Sequence, residues 1–365
     1  MLRELADSLR RRVLSTGGYH HRNYRHRLSE EQAAALALPP GSSVLLRDRR
    51  SGMPELVQRT WPQESSTLGR LAAVRDRLDG GWGVDVPRVL WQDDSGAAVL
   101  LYVEGPTLDR LSPAGQPVPP AQLGQIGGFF AQLSRLARSD VPPLPAGWPD
   151  DGDSTGFLRA RVAWAARRLS AANWAAYGGL LAELGVAEDA MERFGARTPE
   201  LARRPFGLLH TDVHRRNIVV EPGGRLRFID WEHAMFGDPL YDLATHLCRM
   251  RYPAAQQREL IAQWREAVAR VRSGPGPGPE HGLERDLPVY LAYERAQSVY
   301  PDVIRAVTSL GAVPEPATLH QAVLRVEAVL EAAAEPLRLP QIPARDVIGK
   351  LLWAWRERRR EPVGL

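Results

Sequence analysis

The sequence has a single cysteine, Cys248, so it can form no internal disulfide framework, and that scarcity predicts a reducing, cytoplasmic setting. It has a single lysine, Lys350, among 47 basic residues, the others all being arginine. Any task that an ammonium normally performs must therefore fall to a guanidinium, which is planar, multidentate and not deprotonated. No apolar run approaches the roughly 18 residues of a membrane span, and no apolar signal core opens the chain. Charge of either sign is also in short surplus. Against 43 acidic residues the balance is +4 over 365 residues, which points away from nucleic-acid and membrane partners. What is present is an ordinary globular composition, 44% hydrophobic and 25% charged. Single cores stop growing beyond roughly 250 to 300 residues, so this length predicts two lobes.

Leu2, Leu5, Leu9 and Val13 form one helical stripe with arginines elsewhere, predicting a short helix packed on the first lobe rather than on a membrane surface. The run STGGYHHRNYRHRL reads as strand, turn and strand, and Ser29 as the cap of a short helix. SSVLLRDR and ELVQRTW, flanking Arg50-Ser51-Gly52, predict an antiparallel pair. Leu68, Leu71, Val74 and Leu78 recur at spacings of three and four, predicting a helix in ESSTLGRLAAVRDRL. VPRVLWQD and AAVLLYVEG follow as strands, so the first hundred residues read mostly as antiparallel sheet with one main helix. Beyond Gly105 helical periodicity dominates, at 122–138, 157–184, 187–194 and 344–360. The exceptions are FGLLH, NIVVE and RLRFID, short strands of which the last two turn at Pro222-Gly223-Gly224. GPGPGP, at 274–279, predicts an exposed loop.

Four of the nine histidines, His210, His214, His233 and His246, fall within 37 residues of one another, among Asp212, Asn217, Asp230, Glu232, Asp238 and Asp242. Ionisable groups this dense beside apolar strands point to a site. The pattern is H-x-D-x-x-x-x-N with an aspartate 13 residues on, and the hairpin would return Asp230 towards Asp212. Phosphoryl transfer needs a carboxylate near the attacking hydroxyl, hard oxygen ligands for Mg²⁺ and a cation on the nucleotide phosphates. Asp212, Asn217 and Asp230 are all oxygen donors. His210, Asp212 and His214 could instead hold zinc, but no third His or Cys stands at a familiar spacing.

HTDVHRRN, FIDWE and GDPLYDLA, in that order, resemble the catalytic loop, metal-binding segment and following helix of the aminoglycoside phosphotransferase and choline kinase superfamily. The resemblance covers about residues 15 to 250. It implies an α+β, bilobal protein-kinase-like fold, with a small antiparallel-sheet nucleotide lobe at 1–104 and a larger helical catalytic and acceptor lobe at 105–365. It implies ATP and Mg²⁺, Asp212 orienting or deprotonating the acceptor hydroxyl, Asn217 and Asp230 holding Mg²⁺, and His210 and Asp242 as structural residues. GGYHHRNY is similar to the family's first-hairpin loop, with Gly17 and Gly18 admitting the phosphates. ELVQRTW looks like the third strand, putting Arg59 where the family has Lys or Arg, with Glu64 as its partner. VLLYVEG looks like the hinge, where the backbone of Tyr102 and Val103 would meet adenine.

The acceptor implied is an alcohol of a small molecule or natural-product intermediate. The +4 balance, and Arg215 and Arg216 inside the catalytic loop, do not advertise a cleft for a polycation. Glu232, Glu294 and Asp302 are the candidate acceptor contacts. A Ser or Thr of a precursor peptide, as in lanthipeptide-type and thioamitide-type pathways with a separate partner lyase, is the alternative acceptor. A degenerate kinase that binds nucleotide or peptide without turnover is the rival from another class, motivated by Arg59 and opposed by the retained Asp212, Asn217 and Asp230.

Overall fold

A computed structural model describes residues 1–11, 16–17, 21–50, 56–77, 84–270, 276–311 and 315–358. The first helix, α1 (Leu2–Arg10), buries Ala6 and Leu9 against Tyr24, Leu28, Val44, Leu46 and Val99, so its apolar stripe is covered by the protein's own sheet. Strands β1 (Thr16–Gly17), β2 (His21–Arg27) and β3 (Ser43–Arg49) follow, with α2 (Glu30–Ala35) between the last two. Ser29 accepts from the Gln32 amide while the Gln32 side chain accepts from the Ser29 amide, a reciprocal cap that starts α2 where the sequence places it. After α3 (Glu64–Arg77) come β4 (Val89–Gln92) and β5 (Ala98–Leu101), giving a five-stranded antiparallel sheet in the order β1-β2-β3-β5-β4.

One expected strand is absent. Leu56–Trp61 has no strand structure, and residues 51–55 of the expected turn lie outside the described ones. Both edges of β3 are already taken: Arg22 to Arg27 pair with Asp48 back to Ser43, and Leu101 to Ala98 pair with Val44 to Arg47. ELVQRTW has no edge of β3 left to join, and Pro62 at its end cannot donate to a ladder. The third strand of the chain is thus Ser43–Arg49.

Past β5, Gly105 takes φ +139°, and a Cβ there would lie 2.3 Å from the Val220 carbonyl oxygen, so only glycine fits this crossing. Helices α4 (Leu108–Leu111) and α5 (Pro120–Leu133) follow, then α6 (Ser154–Trp164), a π-helical stretch over Ala165–Ala171, α7 (Ala172–Glu183) and α8 (Ala190–Ala196). Three-residue strands come next: β6 (Gly207–Leu209), β7 (Ile218–Val220), β8 (Leu226–Phe228) and β9 (Met235–Gly237). β7 and β8 form the expected hairpin, while β6 pairs with β9, which the sequence reading did not anticipate. The chain ends with α9 (Pro239–Met250), α10 (Ala254–Arg270), α11 (Leu283–Ser309), α12 (Pro316–Leu337) and α13 (Arg345–Arg358).

Two compact units result. One comprises 1–54, 59–146 and 205–280, with the whole five-stranded sheet, α9 and the short strands; the other comprises 55–58, 147–204 and 281–365 and is helical. Leu56–Gln58 fall in the helical unit, where Gln58 accepts from Arg161, a further reason that this run is no strand of the sheet. Among the described residues no helix is long and apolar enough to cross a membrane.

Candidate active site

The loop after β6 is held from beneath by α9. Asp242 accepts from the backbone amides of His210 and Thr211, each at 2.8 Å, and Thr211 Oγ1 donates to the His233 carbonyl at 2.8 Å. These three bonds hold Thr211 at φ +61°, a left-handed conformation that a β-branched residue rarely adopts. Burial pushes the Asp242 carboxyl up to about 7, against the pull of those two amides. The His210 ring packs 4.6 Å from the Trp231 ring, and burial lowers its pKa to about 4. Deeper still, His246 contacts the Val213 carbonyl at 2.8 Å and the Tyr252 hydroxyl at 3.0 Å, and burial lowers it to about 3. His210 and Asp242 are thus both buried, Asp242 bonded to the loop backbone.

Asp212 is 9% exposed. Asn217 Nδ2 donates to its backbone carbonyl at 3.0 Å and to its Oδ2 at 2.9 Å, tying the two ends of the motif. Arg249 Nη1 donates to Oδ1, and His214 Nε2 lies 3.6 Å from the same oxygen. Burial alone would raise the Asp212 carboxyl, yet Arg249 and the neighbouring histidines hold it below the usual carboxylate range. It is an ionised group able to accept a proton or a hydrogen bond. Arg249 stands seven residues after Asp242, two turns along the same face of α9, so one helix face fixes both the loop backbone and its carboxylate. That spacing was the signal for Arg249, which sequence reasoning missed.

Arg215 is buried. Its guanidinium and Nε donate to the carbonyls of Met250, Ser112 and Gln116, and it lies over the Tyr252 ring. Arg216 is exposed.

Asp230 stands at φ +69° after β8, and its Oδ1 accepts from Arg47 Nη2 at 2.8 Å. Arg47 Nη1 also pairs with Glu64 at 2.8 Å, and Glu64 Oε1 accepts from the Trp231 amide at 2.8 Å. Burial works against the charge on Arg47, but Asp230, Glu64 and Glu232 offset it and keep the guanidinium protonated. Burial pushes Glu64 up to about 7 against the attraction of Arg47. The partner of Glu64 is therefore Arg47 on β3, not Arg59. The expectation failed because it counted ELVQRTW as the third strand; the signal available was a charged residue set in the apolar run VLLR.

Arg59 instead donates to Glu232 Oε2 at 2.7 Å, while His233 Nε2 lies 3.3 Å from the other Glu232 oxygen and His21 Nδ1 3.5 Å from the first. Burial would raise Glu232, but His233, Arg47 and His21 hold it far below its ordinary value. Both Glu232 oxygens are engaged within this ionic cluster. His21, also 3.1 Å from Arg47, is lowered to about 4 by burial and by Arg47.

At the expected hinge, the Tyr102 amide donates to the Ser43 carbonyl at 2.9 Å, so it cannot also serve a nucleobase. The Tyr102 ring lies under Arg25, which pairs with Glu104 at 2.8 Å. Gly17 ends β1 opposite Arg22, and Gly18 lies outside the described residues. Glu294 and Asp302 are on α11 in the helical unit: Glu294 is 1% exposed, and Asp302 lies 3.6 Å from Arg305 on its own helix.

Two oxygen donors suit a hard cation. Asn217 spends its amide nitrogen on Asp212, which leaves Oδ1, and Asp230 gives only Oδ1 to Arg47. Among the described residues no group of three His, Cys, Asp or Glu could hold a metal. Oxygens of this kind fit Mg²⁺, which takes one or two protein oxygens and completes its shell with phosphates and water.

The family model described as "Phosphotransferase enzyme family" matches residues 12–283. Solved structures similar to the chain include a choline/ethanolamine kinase family protein from Mesorhizobium loti, 16% identical over 96% of this chain and 98% of that one, TM-score 0.50. An ethanolamine kinase from Plasmodium vivax is 12% identical over 90% of this chain and 83% of that one, TM-score 0.53. A macrolide 2′-phosphotransferase from Brachybacterium faecium is 20% identical over 93% and 99%, TM-score 0.49. At these identities the first two show likeness of fold, the protein-kinase-like α+β arrangement of a small antiparallel sheet and a larger helical part. No curated protein matches the sequence.

Proposed function

The chain belongs to the phosphotransferase enzyme family, with a hydroxyl as acceptor, and from that premise we propose that it transfers the γ-phosphate of ATP, with Mg²⁺, to an alcohol of a small molecule. The observation that carries the reading is the ionic bridge of Arg47 to both Glu64 and Asp230, beside an Asp212 tied to Asn217. Residues 1–104 would hold the nucleotide and 105–365 the catalytic groups and acceptor.

In this reading Arg47, oriented by Glu64, presents its guanidinium to the nucleotide phosphates. Asn217 Oδ1 and Asp230 hold Mg²⁺, which when bound offsets charge on the phosphate oxygens. Asp212 orients the acceptor hydroxyl and takes its proton as that oxygen bonds to the γ-phosphorus and the bond to the β-phosphate oxygen breaks. The backbone at Val103 and the Tyr102 carbonyl face adenine, and the backbone at Gly17 faces the phosphates. Cation duty in a chain almost without lysine falls to Arg47.

The test is phosphate gain, read by mass, across a panel of alcohols and Ser- or Thr-bearing peptides, with Mg²⁺-ATP consumption in parallel. Wild type should phosphorylate an alcohol, and Asp212→Asn should lose about 10²- to 10⁴-fold in rate while still binding ATP. ATP binding without transfer in any wild-type reaction would contradict the reading.

A further inference from the structure

His21 opens β2, one residue before Arg22, which pairs with Gly17 at the end of β1. In the β2–β3 register His21 stands opposite Arg49 and Asn23 opposite Arg47, so His21 and Arg47 are diagonal neighbours on one face of the sheet. The His21 Nδ1 atom lies 3.1 Å from Arg47 Nη2. A guanidinium carries donors only, so this nitrogen accepts, and the ring hydrogen stands on Nε2. Glu232 Oε2, 3.5 Å from the same Nδ1, could pair only with an imidazolium. Burial, with Arg47 and Arg59, outweighs the pull of Glu232 and Asp230 and keeps the ring neutral.

Every Nη hydrogen of Arg47 already has an acceptor: Glu64 Oε1 at 3.0 Å and Oε2 at 2.8 Å, Asp230 Oδ1 at 2.8 Å, and the His21 ring. The guanidinium can give a phosphate its charge, but a direct hydrogen bond must be taken from one of those residues. The Nε2 hydrogen of His21 is different, because it has no acceptor among the described residues. Its side chain is 12% exposed, and the carboxylates nearby are each paired with a guanidinium, Glu64 and Asp230 with Arg47 and Glu232 with Arg59. We propose that His21 is a further nucleotide contact, donating its Nε2 hydrogen to a phosphate oxygen of ATP while its Nδ1 holds Arg47 in place. This rests on the reading of Arg47 as the cation that faces the phosphates. The neutral ring adds a hydrogen bond to the phosphates without adding another charge to the cluster.

The experiment is calorimetry of Mg²⁺-ATP and of adenosine with wild type, His21→Ala, His21→Asn and His21→Gln, with Tm measured for each. A glutamine amide reaches the position of Nε2 and an asparagine amide that of Nδ1. His21→Ala should weaken ATP binding about tenfold or more and leave adenosine unchanged. His21→Gln should recover most of that loss and His21→Asn little of it. Unchanged ATP affinity in His21→Ala, an equal loss on adenosine, or recovery by Asn but not by Gln would overturn the proposal, and each leaves the phosphotransferase reading standing. Nitrogen NMR of the wild-type histidine rings tests the same contact without a substitution. The His21 ring should carry its hydrogen on Nε2 at neutral pH, and that signal should move with Mg²⁺-ATP but not with adenosine. A hydrogen on Nδ1, or an Nε2 signal that ATP does not move, would overturn the proposal even where a variant fails to fold. Absence of ATP binding by wild type would instead remove the phosphotransferase reading.

Discussion

Two neutral histidines, His210 and His246, lie beneath the loop after β6, and burial is what keeps them neutral. His246 has its pKa lowered to about 3 from an ordinary 6.5, so between those values an unfolded chain binds a proton that the native one refuses. Its contribution is intact above pH 6.5 and falls as the solution is acidified towards pH 3, by up to about 1.4 kcal/mol per pH unit. In urea unfolding, the stability difference between wild type and His246→Asn should therefore shrink as pH falls from 7 to 4; a difference independent of pH would exclude a buried neutral imidazole. At the same scale, Arg59→Ala removes the guanidinium that donates to Glu232, leaving His233, His21 and Arg47 to offset its charge, and should cost about 3 kcal/mol by the same unfolding measurement. Asp212, Asn217 and Asp230 were legible because their chemistry is packed into a short stretch of sequence. Arg47 was not, because naming it required knowing which strand was third, and Arg249 was not, because its meaning depends on where α9 docks.

Elements are decided by what surrounds them as much as by their own pattern. Helices α1 to α3, α5 to α8 and α13 were readable from periodicity and caps, α4, α10 and α12 were not anticipated, and the β7–β8 hairpin was readable from Pro222-Gly223-Gly224. ELVQRTW has a strand's composition, but the β3 edge it was expected to pair with is taken by β2 on one side and β5 on the other. β9 is three residues long and its partner lies 26 or more residues earlier, so no local signal announces it. Gly105 marks the closest crossing, and Gly105→Ala should lower stability by about 2–3 kcal/mol through strain and the clash with Val220. Gly124→Ala is the contrast: it sits inside α5 with nothing within 4 Å of the added Cβ, and should stabilise by about 0.5–1 kcal/mol. Thermal melts of the two variants check both signs.

At the scale of the whole molecule, the expected lobes are 1–104 and 105–365, while the two compact units divide the chain elsewhere: 105–146 and 205–280 go with the sheet, and 55–58 and 147–204 with the C-terminal helices. Long excursions of this kind leave no trace in local pattern. The family match ends at residue 283, so most of the helices α11 to α13 lie beyond it, where the sequence carried no signature either. A chain that binds nucleotide only when folded should gain about 2.7 kcal/mol from Mg²⁺-ATP at a hundred times its Kd. The central claim is that Arg47, not Arg59, meets the nucleotide phosphates in place of the missing lysine. The most direct measurement is ATP affinity by calorimetry for Arg47→Ala and Arg59→Ala side by side. The account predicts a loss of about tenfold or more for Arg47→Ala and little change for Arg59→Ala. The reverse order, or equal affinities, would contradict it.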